Sequence, residues 1–175
     1  MSNLKKYVKK ALNFGAEEAK IIETKNIVTG NWVRLKCQYG CDCYGKRLTC
    51  PPFSPTPEYT QQMVAQYDKA LILTYSARPG EERAKRRKMH KAIANLEKEI
   101  FLDGYYKAFA MVAGPCRFCL PCDVTKPCKF PELARPAMEA CGIDVYKTAS
   151  NVGIKLEVVK SREAISKYCC LILIE

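Results

Sequence analysis

The first hydrophobic pattern along the chain has a helical period. Five apolar residues share one face of a helix drawn over this stretch: Leu4, Tyr7, Val8, Ala11 and Leu12. Lysines occupy the opposite face, which is typical of an amphipathic surface helix. Gly15 follows the pattern and predicts that the helix ends just before it.

Three further helices are predicted downstream. The longest covers residues 81–101, where apolar residues recur in steps of four, three and four at Met89, Ile93, Leu96 and Ile100. A second begins near Pro57, which suits a first helical turn, with Thr56 as its cap. A short third helix covers residues 131–140, with Gly142 as its C-terminal cap.

Apolar runs without helical period predict the strands. They cover residues 19–24, 33–35, 70–75, 106–112 and 168–174. The last run has no polar interruption after Tyr168, which indicates a fully buried strand. We therefore predict a mixed fold, α/β or α+β, in which helices pack on a central sheet of about four strands. Two cysteine-rich segments interrupt this scaffold, on loops at strand and helix ends.

Length and composition limit the class of protein. A chain of 175 residues, 48% of them hydrophobic, predicts a single folded domain over residues 1–175. It is too short for a barrel of eight strand–helix units, which needs roughly 200 residues or more. No window approaches the roughly 20 apolar residues of a membrane span. The first residues lack the apolar core of an export signal, so a cytoplasmic location is expected.

The cysteine content limits the class of protein more strongly than the net charge does. Eleven cysteines are present, together with a formal net charge of +11. A secreted disulfide scaffold usually has an even count and an export signal. Buried free thiols account for a few cysteines but not for eleven. Metal sites in a reducing compartment are the remaining explanation and the one we favour.

The second cysteine cluster has the more regular spacing. Cys116, Cys119, Cys122 and Cys128 form a C-x2-C-x2-C-x5-C pattern. Three thiolates at this close spacing, with a more distant fourth, are typical of a 4Fe–4S cluster. A zinc site usually pairs one C-x2-C with a second pair about 12–20 residues away, so one cysteine would be surplus. Iron–sulfur ligation is therefore favoured over zinc.

The first cluster is less regular. Cys37, Cys41, Cys43 and Cys50 form a C-x3-C-x-C-x6-C pattern, and Pro51 follows the last cysteine as in bacterial ferredoxins. The leading interpretation is a second 4Fe–4S cluster with four thiolate ligands. A cluster with only three protein ligands and a zinc site remain alternatives.

Three cysteines fall outside the two clusters. Cys169 and Cys170 lie in the predicted C-terminal strand and are expected to be small core residues. Cys141 lies between a predicted helix end and Gly142. Cys141 is expected to be a structural residue. It is also the best substitute ligand if one of the eight proposed cysteines does not bind metal.

Two stretches resemble a known family. The run from Cys37 through Cys41 and Cys50 into Pro51-Pro-Phe-Ser-Pro-Thr-Pro57 is similar to a cysteine-rich family of predicted metal-binding proteins. So are residues 113–145, which hold the second cluster and a later run from Ala134 to Val145. The family occurs mostly in anaerobic bacteria and archaea, and its function is unknown. The resemblance implies two 4Fe–4S clusters, and its cysteine pattern leaves Cys43 out.

The remaining residues disfavour hydrolytic catalysis and leave three possible functions. His90 is the only histidine and lies in a basic helix, so hydrolytic catalysis by a serine–histidine pair is disfavoured. The basic run over residues 83–91 is either a solvated face or a docking surface for an acidic redox partner, with nucleic acid less favoured. We predict an iron–sulfur protein that transfers single electrons. The alternatives are a redox enzyme with an open iron and a zinc-stabilised nucleic-acid-binding module.

Overall fold

A four-stranded antiparallel sheet forms the centre of the molecule. The computed structural model describes residues 4–161 and 163–175, and the following account concerns these. The strands are β1 (Glu18–Glu23), β2 (Lys69–Ala77), β3 (Phe109–Met111) and β4 (Ser166–Leu173). Their order across the sheet is β1-β2-β4-β3, and every neighbouring pair is antiparallel. The apolar C-terminal run is thus an inner strand, as its lack of polar residues predicted.

Five α-helices are present in the described part of the chain. They are α1 (Lys5–Asn13), α2 (Asn31–Gly40), α3 (Pro57–Val64), α4 (Glu82–Leu102) and α5 (Val145–Asn151). The Thr56 hydroxyl accepts a hydrogen bond from the Tyr59 amide at 3.2 Å and caps α3, as predicted. None of these helices combines the length and the apolar character that a membrane crossing requires. The mixed fold class predicted from the sequence is confirmed.

One face of the sheet is covered by α1 and α4. The predicted stripe of α4 is buried in full, since Met89, Ile93, Leu96 and Ile100 are each at most 2% exposed. These side chains pack in one core with residues of β2 and β4, and Tyr7 of α1 joins them. The apolar residues that recur with the helical period in α4 are therefore the ones that face the core.

The opposite face is covered by α3, α5 and the segment before α5. Ile72 and Leu171 from the sheet meet Met138 and Ile143 in this second core. Because side chains alternate along a strand, Cys169 lies in this core and Cys170 in the first one. Both are buried, as predicted for small core residues.

The strand predicted at residues 33–35 is wrong, because these residues lie in α2. Val33 is buried, whereas Trp32 and Leu35 are about half exposed, so only one side of the segment faces protein. That one-sided burial suits a helix on the surface. A run of three apolar residues cannot distinguish a strand from a helix.

Residues 131–140 also differ from the prediction of a short helix. They form turns, followed by a single 3-10 turn at Glu139–Cys141. The Val112 amide donates to the Pro136 carbonyl and the Met138 amide to the Val112 carbonyl, each at 2.9 Å, so the backbone pairs with another segment instead. Gly142 does end the turn, with a φ of 80° in the left-handed region. Helix α5 was not predicted.

Candidate metal centre

The first cysteine group forms where α2 ends. Cys37 lies in the last turn of α2, and the first cysteine loop (residues 41–54) brings Cys50 back toward it. Cys37, Cys41 and Cys50 line one cavity of about 190 Å³, together with Tyr44. Tyr44 thus contributes an aromatic side chain to the wall of this cavity.

Cys43 has a different environment from its three partners. Its Sγ lies within 4.8 Å of the Cys41 Sγ and of a carboxylate oxygen of Asp42. The side chain is buried and accepts a hydrogen bond from Arg47 Nε at 3.4 Å. In the described part of the chain, the lining of the 190 Å³ cavity does not include Cys43. Its position allows ligation beside Cys41 without requiring it.

Hydrogen bonds fix the first loop against a segment that comes from far along the chain. We call residues 137–144 the wall segment. The Ser54 hydroxyl donates to the Ala140 carbonyl at 2.6 Å, and Arg34 Nη1 donates to the carbonyls of Pro55 and Ala140. Arg34 lies on α2, so helix, loop and wall segment are held as one unit around the cavity.

The second cysteine group is held in a loop that is closed at its base. A parallel bridge between Val112 and Ala137 brings together the two ends of the second cysteine loop (residues 114–136). Burial raises the pKa of Cys116, and the nearby thiols of the same loop raise it further: Cys119, Cys128 and Cys122. The other three cysteines therefore lie near Cys116, so the loop places the four predicted cysteines in one group.

Helix α4 anchors both ends of that loop. His90 Nε2 lies 3.0 Å from the Ala113 carbonyl oxygen, on the side before Cys116. On the other side, Arg135 Nε donates to a carboxylate oxygen of Glu97 at 2.5 Å. Burial lowers the pKa of His90 to about 4, so the ring is neutral near pH 7. The only histidine is therefore a buried residue that contacts the backbone at the start of the loop.

Arg47 connects the two cysteine groups. Its Nε donates to Cys43 of the first group, and its Nη1 donates to the Cys116 carbonyl of the second at 2.9 Å. The side chain is only 8% exposed. A buried guanidinium requires negative partners, which thiolates on either side would supply.

These two groups lie within a segment that matches a known family. Residues 20–174 match the model of a family described as a predicted metal-binding protein (DUF2284). The chain belongs to this family. Neither the curated proteins nor the solved structures contain a match. The resemblance noted from the cysteine runs is confirmed as far as a metal-binding family is concerned.

The donor set of this DUF2284 member fits a metal that prefers sulfur. Burial, and then the nearby Cys43 and Cys41, raise the pKa of the Cys50 thiol to about 12. Burial and Cys41 likewise raise the pKa of Cys37. Crowded buried thiols resist ionisation until a cation enters, because only a cation offsets their mutual repulsion. The Phe130 amide donates a hydrogen bond to Cys128 Sγ at 3.4 Å.

Sequence reasoning missed two residues of the site. Arg47 lies inside the gap between Cys43 and Cys50, and nothing in the spacing separated it from its neighbour Lys46. Glu139 of the wall segment lines the 190 Å³ cavity, and its Oε2 is buried without a hydrogen-bond partner. The residue as a whole keeps some exposure, so this atom rather than the side chain is enclosed. The only sequence signal for Glu139 was that it is a single acidic residue in a mainly apolar stretch.

Proposed function

We propose that this protein binds two 4Fe–4S clusters and transfers single electrons. The proposal is supported above all by one observation: a single buried arginine, Arg47, donates hydrogen bonds to one cysteine of each group, the Cys43 thiol and the Cys116 carbonyl. Thiolates hold iron–sulfur clusters, and neighbouring charge and hydrogen bonds set their reduction potentials. Free thiols at this density would be at risk of oxidation, so we also propose a reducing compartment, the cytoplasm.

The eight proposed ligands divide into the two cysteine groups. Cys37, Cys41, Cys43 and Cys50 would hold the first cluster, and the other four would hold the second: Cys116, Cys119, Cys122 and Cys128. When bound, each cluster accepts and donates one electron at a time. The protein residues around them supply the rest. Arg47 places positive charge between the groups, and the Phe130 amide donates to Cys128.

Metal analysis tests the proposal directly. Protein purified without oxygen is expected to contain about eight iron and eight sulfide per chain, from two four-iron clusters. Stoichiometric zinc without sulfide would contradict the proposal and favour a zinc-stabilised module. The visible absorption of the same sample distinguishes the two outcomes, because zinc thiolates are colourless.

A basic groove beside the second loop supports an acidic redox partner. Four exposed cations of α4 line this groove: Arg83, Arg87, Lys88 and Lys91. Among the residues that the structure describes, none of the four forms an ion pair. Phe118 and Phe130 of the second loop form the opposite side, with ring centroids 6.1 Å apart. Charge next to a buried redox centre suits docking of a negatively charged protein.

Kinetics with an acidic ferredoxin as the probe would test this surface. The Arg87→Glu variant is expected to slow electron transfer from the reduced probe at low salt and to reduce the salt dependence of its rate. Lys9→Glu on α1 makes the same charge change at another exposed position and is expected to have a much smaller effect. Equal slowing in both variants would show that only net charge matters and that the groove is not the docking surface.

A redox enzyme is the second candidate function. It is favoured by the lining of the 190 Å³ cavity, which includes three cysteines of the first group but not Cys43, within the described residues. A cluster with three protein ligands leaves one iron open to a substrate, whereas four ligands close it and suit electron transfer.

The Cys43→Ala variant decides between these two functions. If Cys43 is the fourth ligand, the first cluster should become labile and lose iron on mild oxidation while the second persists. Iron content, visible spectrum and midpoint potential should then all differ from the unmodified protein. An unchanged value of all three would exclude ligation by Cys43 and support the enzyme.

A further inference from the structure

Three successive residues of the first cysteine loop bring together donor atoms that suit a metal ion. The sulfur atoms of Cys41 and Cys43 and a carboxylate oxygen of Asp42 all lie within 4.8 Å of one another. The Tyr44 amide donates to the Cys41 carbonyl at 3.3 Å, so a turn over residues 41–44 gathers the three side chains. Within the described residues, only Cys41 of the three lines the 190 Å³ cavity, so the group lies at the edge of that cavity.

The spacing of these donor atoms suits one shared ion. A tetrahedral ion with metal–sulfur bonds of about 2.3 Å and a metal–oxygen bond of about 2.1 Å holds its ligand atoms roughly 3.6–3.8 Å apart. Thiolates that bind different irons of a 4Fe–4S cluster are farther apart, because the distance between the two irons also separates them. The arrangement of Cys41 and Cys43 therefore matches a single ion more closely than two irons of a cluster.

Asp42 is the member of this group that the cysteine pattern does not include. Asp123 is its counterpart in the second loop, since each aspartate directly follows a cysteine. The Asp123 carboxylate accepts hydrogen bonds from the Thr125 amide and hydroxyl and pairs with Lys126. Asp42 is exposed and, among the residues that the structure describes, its side chain forms neither a hydrogen bond nor an ion pair. Its carboxylate is therefore available to a cation.

The charge of the group matches a divalent ion. Two thiolates and a carboxylate carry three negative charges, of which a divalent ion offsets two. The Arg47 guanidinium offsets the third, because its Nε donates to Cys43 Sγ at 3.4 Å. Thiolate ligands favour transition-metal ions such as Fe²⁺ and Zn²⁺ over Mg²⁺ and Ca²⁺, which prefer oxygen.

We propose that Cys41, Asp42 and Cys43 bind one divalent transition-metal ion in protein that lacks the first cluster. Two sulfurs and one carboxylate oxygen hold the ion, and water fills the fourth tetrahedral position, since Cys41 and Asp42 are exposed. The two thiols release their protons to solvent when the ion binds. This site goes beyond the proposed function, because ion binding requires no sulfide. The ion and the first cluster would share cysteines and exclude each other, so the site would take up metal before the cluster is assembled.

Titration of reduced, metal-free protein with Co²⁺ tests the site, because tetrahedral Co²⁺ with thiolate ligands absorbs visible light. The background is the Cys119→Ser/Cys122→Ser variant, in which the second group no longer competes for the ion. One Co²⁺ per chain is expected. Asp42→Asn should weaken its binding by at least about tenfold, whereas Cys37→Ser should change it less than about twofold. Asp123→Asn is the matched control and should bind Co²⁺ like the background.

A site of four thiolates is the competing arrangement of the first group. It would make Co²⁺ binding depend on Cys37 and Cys50 and leave Asp42→Asn without effect, and either result would overturn the proposal. Zn²⁺ should displace Co²⁺, and an equal concentration of Mg²⁺ should not. Displacement by Mg²⁺ would show that the thiolates do not bind the ion. Iron and sulfide in anaerobically purified protein test the proposed function separately: Co²⁺ binding at this site in a protein that purifies without sulfide would support the site and contradict the clusters.

Discussion

Two hydrogen bonds hold the Arg47 guanidinium between the two cysteine groups. A buried positive charge stabilises the reduced, more negative state of a neighbouring redox centre. Arg47→Gln is therefore expected to shift the midpoint potentials of the centres to more negative values. A charge-assisted hydrogen bond is worth about 1.5–3 kcal/mol, which corresponds to roughly 60–130 mV for one electron. Redox titration followed by electron paramagnetic resonance measures the shift.

The adjacent residue is a matched control for this variant. Lys46→Gln removes the same charge one position away, but Lys46 is exposed, and water and salt screen it. A shift of only a few mV is expected there, and Arg47→Lys should lie between the two. Potentials that move equally in the Arg47→Gln and Lys46→Gln variants would show that the contacts of Arg47 do not matter.

Cysteine substitutions separate proposed ligands from core residues. Cys119→Ser is expected to remove the proposed second cluster, because metal binding and the folding of its loop are coupled. Cys169→Ser should leave the iron content unchanged and cost about 1–2 kcal/mol of folding stability, since a hydroxyl replaces a thiol in an apolar core. Iron analysis and denaturant unfolding measure the two effects. Equal loss of iron would mean that Cys169 has been misassigned.

At the scale of elements, Gly142 determines how closely the wall segment approaches α3. Its φ is +80°, and a Cβ at this position would lie 2.5 Å from Pro57 Cγ and 2.9 Å from Pro57 Cα. Gly142→Ala thus combines backbone strain with a clash against the first turn of α3. We expect a loss of about 2–4 kcal/mol in the free energy of unfolding, measured in urea.

Gly80→Ala provides the matched control for the clash. Gly80 has a similar φ of +85°, but a Cβ there would meet no atom within 4 Å. Only the conformational strain should remain, at about 1 kcal/mol. If both variants lost the same stability, the contact between the wall segment and α3 would not contribute.

The same elements show how far sequence reasoning reaches. The stripe of α4 has four well-spaced apolar residues over three turns, so its period was unambiguous and the helix was predicted within one residue at each end. Helix α2 has a single buried apolar residue, Val33, and therefore no period to detect. Residues 131–140 contain helix formers, but their backbone groups pair with Val112, a contact that no local pattern reveals.

The candidate site also has one part that the sequence predicted and another part that it did not. Cysteine spacing predicted two separate groups because loop ligands are close in sequence. The contacts between the groups depend on tertiary structure: Arg47 reaches the Cys116 carbonyl across 69 positions, and Ser54 reaches Ala140 across 86. Glu139 comes to the first group only because the sheet and the Gly142 turn position the wall segment. Such long-range placement leaves no trace in local spacing.

At the scale of the whole molecule, the cysteine loops are separate from the two hydrophobic cores. Within the part of the chain that the structure describes, neither core includes a residue of the first or the second cysteine loop. Both loops consist of turns, whereas the strands and helices that cover the sheet lie elsewhere. The sheet with α1 and α4 therefore has the contacts to persist without metal, and we expect the two loops to depend on bound metal for their order.

This separation predicts a local response to metal removal. Treatment with a chelator and an oxidant should leave the far-ultraviolet circular dichroism nearly unchanged, since regular elements are outside the loops. Hydrogen exchange should accelerate in residues 41–54 and 115–130, because metal binding and loop folding are coupled. Exchange in β2 and β4, the inner strands, should stay slow. Loss of protection throughout the sheet would instead show that the metal centres stabilise the whole fold, as they do in small metal-dependent domains.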